Sequence, residues 1–491
     1  ANYPWWKISL KWSGVSRVKK TKIITTLWPA TDTKEKIESL YNAWANIVRL
    51  NYSHTNYEYF GNIIDIVQDL NNSWKTNFWI LTDTKWPEIR TKTISEKINL
   101  EQWEIFVLTT LSHEDNIDTK WRKLIVCDYE YIITDLDIWH IVDIDTGLLK
   151  AKVIEKNEWE LICEALNKHT VWSKRHLNLP GVKLHLPWIT ESDKKDIEFA
   201  VWKWTDFIAL SFVRNKENIL ELREYLKEIK APENIQIISK IENQESLDNI
   251  DEIIDESDGI MIARWDLWAE VPFETLPVLQ RQIANKCKQT WTYFIVATQM
   301  LESMIENPIP TRAEVTDIFN AAMQKTDCTM LSGETAAWNY PLEAVQTMSR
   351  VLRFTESQID YKHDYFSKDL WEHEDKKQLI KNAIYTAEWV WAKNILVFTN
   401  KWFMAKTISA LRPKLHTFAF TYTDQLRKKL TILFGLKTFQ IEKKSNEENL
   451  DNALKQLKDK KLVVKWDKIV TVYWIEKKDQ IVPSIQVIEI K

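Results

Sequence analysis

Glycine is nearly missing from this chain of 491 residues: it occurs seven times, whereas an average globular protein is about 7% glycine. Long apolar runs are missing too. Nothing approaches the ~18 consecutive apolar residues of a membrane helix, and the opening ANYPWWKISLKWSG lacks the charged and apolar stretches of a secretory leader, so neither spanning nor secretion is expected. The four cysteines, Cys127, Cys163, Cys287 and Cys328, lie far apart and form no C-x-x-C pair. That excludes a disulfide framework and a zinc knuckle, and it fits a reducing, cytoplasmic setting. Nor is there an excess of one charge: a net charge of −4 gives no reason to expect nucleic acid or an anionic membrane as partner. What is abundant is tryptophan, with 26 copies. Glycine and tryptophan together make up close to the ordinary share of glycine alone, about 7%.

The length calls for about three domains at ~150 residues each. From Lys22 to Ala337, short β-rich apolar runs alternate with longer amphipathic stretches, as repeated βα units around a parallel sheet would. The runs are KIITTL (22–27), NIVRLN (46–51), FWILTD (78–83), FIALSF (207–212), IQIISKI (235–241), GIMIAR (259–264), YFIVAT (293–298) and CTMLSG (328–333). Eight of them suggest an α/β fold with a (β/α)8 TIM barrel. The gap between the third and fourth runs far exceeds a βα connection, so another domain is inserted there. That insert, 87–180, carries KLIVCDYEYIIT and KAKVIE and reads as an all-β lid domain. The remainder, 19–86 and 181–355, is close to the ~250 residues of a typical barrel. Residues 1–18 form an N-terminal extension, and 356–491, with NILVFTN, LHTFAFT and IVTVYW, read as a C-terminal α/β domain.

Polar residues interrupt these strands at the C-terminal end, the face where such barrels build active sites. Arg49, Asn51 and Ser53 follow the second strand at i, i+2, i+4 spacing, which puts all three on one side of an extended chain. The third ends in Asp83-Thr84-Lys85, the fifth in Lys240-Ile241-Glu242, and the sixth in Arg264 and Asp266. The seventh ends in Thr298 and Gln299, and the eighth in Ser332, Gly333 and Glu334. A lone Lys-x-Glu on a strand is usually a surface pair. Six strands of eight converging at one end is harder to explain that way, because barrel strands are covered on both faces. Glu242 and Asp266 suit a Mg²⁺ that keeps positions for water and a phosphate ligand. Arg49 and Lys240 supply the positive charge a migrating phosphoryl group needs. Ser53 and Thr84 also fit plain helix caps.

The segments TKIITTLWPA, IVRLNYSH, DTKWPEIRT, NLPGV, DFIALSFVR, IISKIEN, SDGIMIARWDLWAEVPFE, ATQMLESMIENPIPTRAEVTDI and DCTMLSGETAAWNYPLEAVQTM resemble, in order and spacing, the motif series of the pyruvate kinases. The likeness runs from about residue 19 to 355 and more weakly to the end. It implies a glycolytic enzyme that moves the phosphoryl group of phosphoenolpyruvate onto ADP, giving pyruvate and ATP. It also implies Mg²⁺ (or Mn²⁺) and K⁺ as cofactors, a lid that closes over the barrel mouth, and a homotetramer.

Carried onto matching positions, the resemblance gives Arg49 the phosphate of phosphoenolpyruvate, and Asn51, Ser53, Asp83 and Thr84 the K⁺. Glu88 resembles the form that needs K⁺, where the K⁺-independent form has Lys. His54, Arg90 and Arg175 match nucleotide-contacting positions. Lys240 would stabilise the phosphoryl group in flight, and Glu242 and Asp266 would ligate Mg²⁺. Backbone at Trp265 and Asp266 would meet the substrate carboxylate, with Ser332 also on the substrate, and Thr298 would sit beside the enolate carbon that is protonated.

Trp28, Trp44, Trp86, Trp204, Trp265, Trp268, Trp291, Trp338, Trp402, Trp466 and Trp474 fall where the family has glycine. An indole cannot replace a glycine that lets backbone approach a ligand or take φ > 0. Overpacking at ~1–3 kcal/mol per site would exceed a typical stability of ~5–15 kcal/mol. Drift does not choose one replacement, so the expectation is a translation artefact, a reassigned stop codon read as glycine in the source. The rival reading, an inactive barrel with genuine tryptophans, sits poorly with every charged position being kept. In the C-terminal domain, TNKWFMA (399–405) departs from the family's T-x-S-G-x-[ST]-A effector loop at Lys401 and Met404, which implies little activation by a sugar bisphosphate.

Overall fold

The structure, a computed structural model, describes residues 19–359 and 374–491, except 55, 74, 86–88, 95, 146, 186–188, 338, 478 and 479; of 54, 374–376 and 474–483 it describes only the backbone. The expected N-terminal extension, Glu88, Trp86 and Trp338 therefore lie outside the described residues.

All eight runs form strands: Lys22–Thr26, Ile47–Asn51, Trp79–Asp83, Phe207–Leu210, Gln236–Ile241, Gly259–Ala263, Tyr293–Ala297 and Cys328–Leu331. They pair in parallel in chain order, and the eighth closes on the first. Side chains alternate between two separate cores. Ile23, Val48, Ile80, Ile208, Ile237, Ile260 and Phe294 pack outward against the helices. Ile24, Ile47, Trp79, Phe207, Ile238, Met261, Tyr293 and Cys328 fill the interior. Two to four residues further along the interior column the chain reaches the barrel mouth. The period of two therefore turns Thr26, Arg49, Asp83, Ser211, Lys240 and Ser332 inward at one end.

Between the third and fourth barrel strands, the strands from Ile98 to Asn178 form a six-stranded sheet and a two-stranded ladder around their own core. The chain crosses between barrel and insert at an antiparallel bridge, Arg90 to His176. C-terminally, Asn394–Thr399, His416–Thr421, Leu436–Gln440 and Lys468–Lys477 form a parallel sheet closed at one edge by antiparallel Gln480–Glu489. This domain docks on the N-terminal end of the barrel, away from the mouth. There Arg412 forks onto Asp327 at 2.6 and 2.5 Å, and the barrel's interior core runs on into Ile395, Ala405 and Ile432. Among the described residues no helix is long and apolar enough to cross a membrane.

Among the described residues seven tryptophans have left-handed backbone: Trp44 (φ 80°), Trp103 (68°), Trp139 (80°), Trp204 (63°), Trp291 (61°), Trp391 (57°) and Trp466 (73°). Trp44, Trp204 and Trp291 directly follow or cap helices, where glycine is the usual residue. Overpacking is not the common feature. Trp204, Trp265, Trp268, Trp402 and Trp466 are exposed, and Trp28 has an extended φ of −158° and packs edge-on against Tyr59 and Phe60.

Candidate functional site

Lys240 is the hub of the barrel mouth. Its ammonium donates to Asp83 Oδ1 (3.1 Å) and Ser211 Oγ (2.8 Å) and lies 2.9 Å from Glu242 Oε1. Burial opposes its charge, but Asp83, Glu242 and Asp266 together outweigh burial and hold it well above the usual lysine range. Arg49 donates through Nε to Asp83 Oδ2 (2.7 Å) and through Nη1 to Thr26 Oγ1 (2.9 Å). Asp83 is fully buried, yet Lys240 and Arg49 overcome that burial and keep its carboxyl below the usual range. The site thus carries two fixed cations around one fixed anion.

Glu242 is fully buried and accepts from the Phe212 N–H at 2.6 Å through Oε2. Its Oε1 is ion-paired with the Lys240 ammonium at 2.9 Å. Burial pushes this carboxyl up, and Lys240 opposes that while Asp266 adds to it. A buried carboxyl group beside a second acidic charge is a pair that a divalent cation would complete. Asp266 stands in the first turn of the helix Arg264–Glu270, beyond the strand that pairs with the one carrying Glu242. Among the described residues no group of three or more His, Cys, Asp or Glu could hold a metal, so such an ion would draw its remaining ligands from substrate, water or backbone.

Asn51 and Asp83 are register partners across the second and third strands, and Asn51 Oδ1 accepts from Ser53 N at 3.3 Å. Thr84 is buried, with its hydroxyl 3.2 Å from both Ala209 O and Ser211 N. These donors are all oxygens, as a hard monovalent cation requires. Across the mouth, Thr298 Oγ1 accepts from Trp265 N (3.0 Å) and donates to Ala297 O (2.7 Å). Ser332 Oγ is buried without a hydrogen-bond partner, and Ser332 N donates to Glu334 Oε2 at 2.7 Å.

Arg90 and Arg175 both lie at the lid crossing, beside the Arg90–His176 bridge. Arg90 reaches Lys174 O (2.9 Å) and His176 Nε2 (2.8 Å), and Arg175 reaches Asp145 at 3.4 Å. These contacts are with lid and hinge residues. His54 is described by its backbone alone, in the turn Tyr52–His54. Sequence reasoning missed Ser211, Thr26 and the Phe212 N–H. Ser211 lies two places beyond Ala209 in the interior column, and that spacing was the available signal.

A family model described as "Pyruvate kinase, barrel domain" matches residues 18–345, and one described as "Pyruvate kinase, alpha/beta domain" matches 377–480. The chain is 38% identical over 458 residues to a pyruvate kinase of Bacillus licheniformis, spanning 92% of this chain and 77% of that protein. It is likewise 38% identical over 449 residues to a pyruvate kinase of Staphylococcus aureus, with 89% and 74% covered. A crystal structure of a pyruvate kinase from Cryptosporidium parvum superposes with a TM-score of 0.88 at 33% identity, covering 96% of each chain.

Proposed function

Since the chain belongs to the pyruvate kinase family, we propose that it transfers the phosphoryl group of phosphoenolpyruvate to ADP at the mouth of its barrel. The observation that carries this reading is the Lys240 ammonium, kept charged between Asp83 and Glu242 and backed by Arg49. Arg49 binds the substrate phosphate, and Lys240 faces the group as its bond to the enol oxygen breaks and its bond to ADP forms. Fixed charge of this kind is most of what phosphoryl transfer needs from a protein. The enolate left behind takes a proton at its methylene carbon beside the Thr298 hydroxyl. Ser332 Oγ and backbone at Trp265 and Asp266 orient the substrate, while His54, Arg90 and Arg175 receive the nucleotide as the lid closes.

Glu242 and Asp266 would hold Mg²⁺ (or Mn²⁺), and Asn51, Ser53, Asp83 and Thr84 would hold K⁺. When bound, these ions supply positive charge to the phosphoryl oxygens. The assembly proposed is a homotetramer in the cytoplasm, readable as molar mass in solution. We also propose that glycine occupies the family-glycine positions now read as tryptophan, and the tests below use that glycine form.

The test is a coupled assay with phosphoenolpyruvate and ADP. Turnover is expected only when both Mg²⁺ and K⁺ are supplied. Full activity in buffer free of K⁺ and Na⁺ would remove the K⁺ assignment, and full activity under chelation would remove the Mg²⁺ assignment.

A further inference from the structure

Thr298 and Gln299 both have left-handed backbone, with φ of 64° and 53°. A β-branched residue is rarely found there, and it stays only where its surroundings over-determine it. The side chain that does so is Arg264. Its Nε donates to Ala297 O at 3.1 Å, and its Nη2 donates to Thr298 O and lies 3.0 Å from Met300 Sδ. Its Nη1 is held by Asp317 Oδ1 at 2.7 Å, from the helix Arg312–Met323. Arg264 is buried, as Arg49 is, but where Arg49 bonds side chains of the Lys240 cluster, Arg264 grips the backbone carbonyls of Ala297 and Thr298 and the Asp317 carboxylate. The far end of the loop is pinned by Glu334, which accepts from Leu301 N at 3.1 Å.

We propose that Arg264 is a positioning residue that, anchored by Asp317, sets the Thr298 hydroxyl against the substrate's reacting carbon; this rests on the role given to Thr298 above. The same residue begins the segment carrying Asp266. One fork therefore ties the proposed metal-ligand segment to the proton-delivering loop. A purely structural ion pair would cost stability alone. The positioning role also predicts a selective loss in the proton step.

The experiment compares the parent with Arg264→Lys, which keeps the charge but cannot fork between two carbonyls and a carboxylate. Three quantities are read: phosphoryl transfer, the exchange of pyruvate methyl protons with D2O in the presence of Mg²⁺, K⁺ and ATP, and the Thr298 φ in a crystal structure. The expected result is exchange reduced about 100-fold, a KM for phosphoenolpyruvate within about threefold of the parent, and Thr298 released from left-handed φ. Asp317→Asn should lower exchange less, in the same direction, and it decides the matter if Arg264→Lys does not fold. Parent-like exchange, or a Thr298 that stays left-handed in the folded variant, overturns the proposal. A parent with neither transfer nor exchange counts against the proposed function instead, and the Thr298 φ then decides this inference alone.

Discussion

At the scale of single residues the decisive feature is where tryptophan sits. Of the eleven family-glycine positions, Trp44, Trp204, Trp291 and Trp466 have φ between 61° and 80°. Left-handed backbone costs a residue with a Cβ about 1–2 kcal/mol. Four such sites sum to roughly 4–8 kcal/mol, the size of a whole domain's net stability. Trp103, Trp139 and Trp391 share the geometry and join the set, although no motif singles out any of the three. Glycine relieves all seven. Protein purified from its native source should therefore show, by peptide mass spectrometry, glycine at 44, 204, 291 and 466, encoded by one codon that ordinarily signals stop. Tryptophan in those peptides, from the ordinary tryptophan codon, would contradict this and favour an inactive barrel.

At the scale of elements, the loop between the strand Asn394–Thr399 and the helix Phe403–Ala410 has one hydroxyl left of the family's effector cradle, that of Thr399. It donates back to the carbonyl of Lys401 within its own loop. Two lost hydroxyls remove roughly 3–6 kcal/mol of charge-assisted hydrogen bonding. Fructose 1,6-bisphosphate, titrated at subsaturating phosphoenolpyruvate, should leave the half-saturating substrate concentration unchanged. A clear micromolar fall that Thr399→Ala abolishes would count against it. Elements of this kind were legible where a run was both apolar and bounded: all eight barrel strands lie within the segments expected from sequence. The strand Leu436–Gln440 and the final strand Gln480–Glu489 were not seen, because polar residues interrupt both and both are edge strands. In the site, charged residues announced themselves at strand ends. Ser211 did not, because a serine there carries no signal until the interior column is aligned by register. Arg264 and Glu334 were seen as strand-end residues, but their hold on neighbouring backbone needed coordinates.

At the scale of the whole molecule, barrel and C-terminal domain share one core and a buried polar seam, in which Lys20 donates to Pro413 O and Lys414 O. Half-buried His416 stands in that seam. Burial, then Lys20, Lys22 and Lys437, push its imidazole down to about 3. The native protein thus keeps His416 neutral, whereas the unfolded chain protonates it below about 6.5. The stability involved is complete above that pH and is lost as pH falls from there toward 3, by about 2 kcal/mol at pH 5. The Tm should drop more between pH 7 and 5 in the parent than in His416→Gln; equal drops would remove His416 from the account. The proposed phosphoryl transfer depends on Lys240 at the barrel mouth. Its most direct test is ³¹P NMR of the glycine-form protein with phosphoenolpyruvate, ADP, Mg²⁺ and K⁺, run beside Lys240→Met of matching circular dichroism. The prediction is loss of the phosphoenolpyruvate signal as the γ-phosphate of ATP appears, slowed at least about 100-fold in Lys240→Met. No transfer by the parent, or transfer by Lys240→Met at the parent's rate, would contradict it.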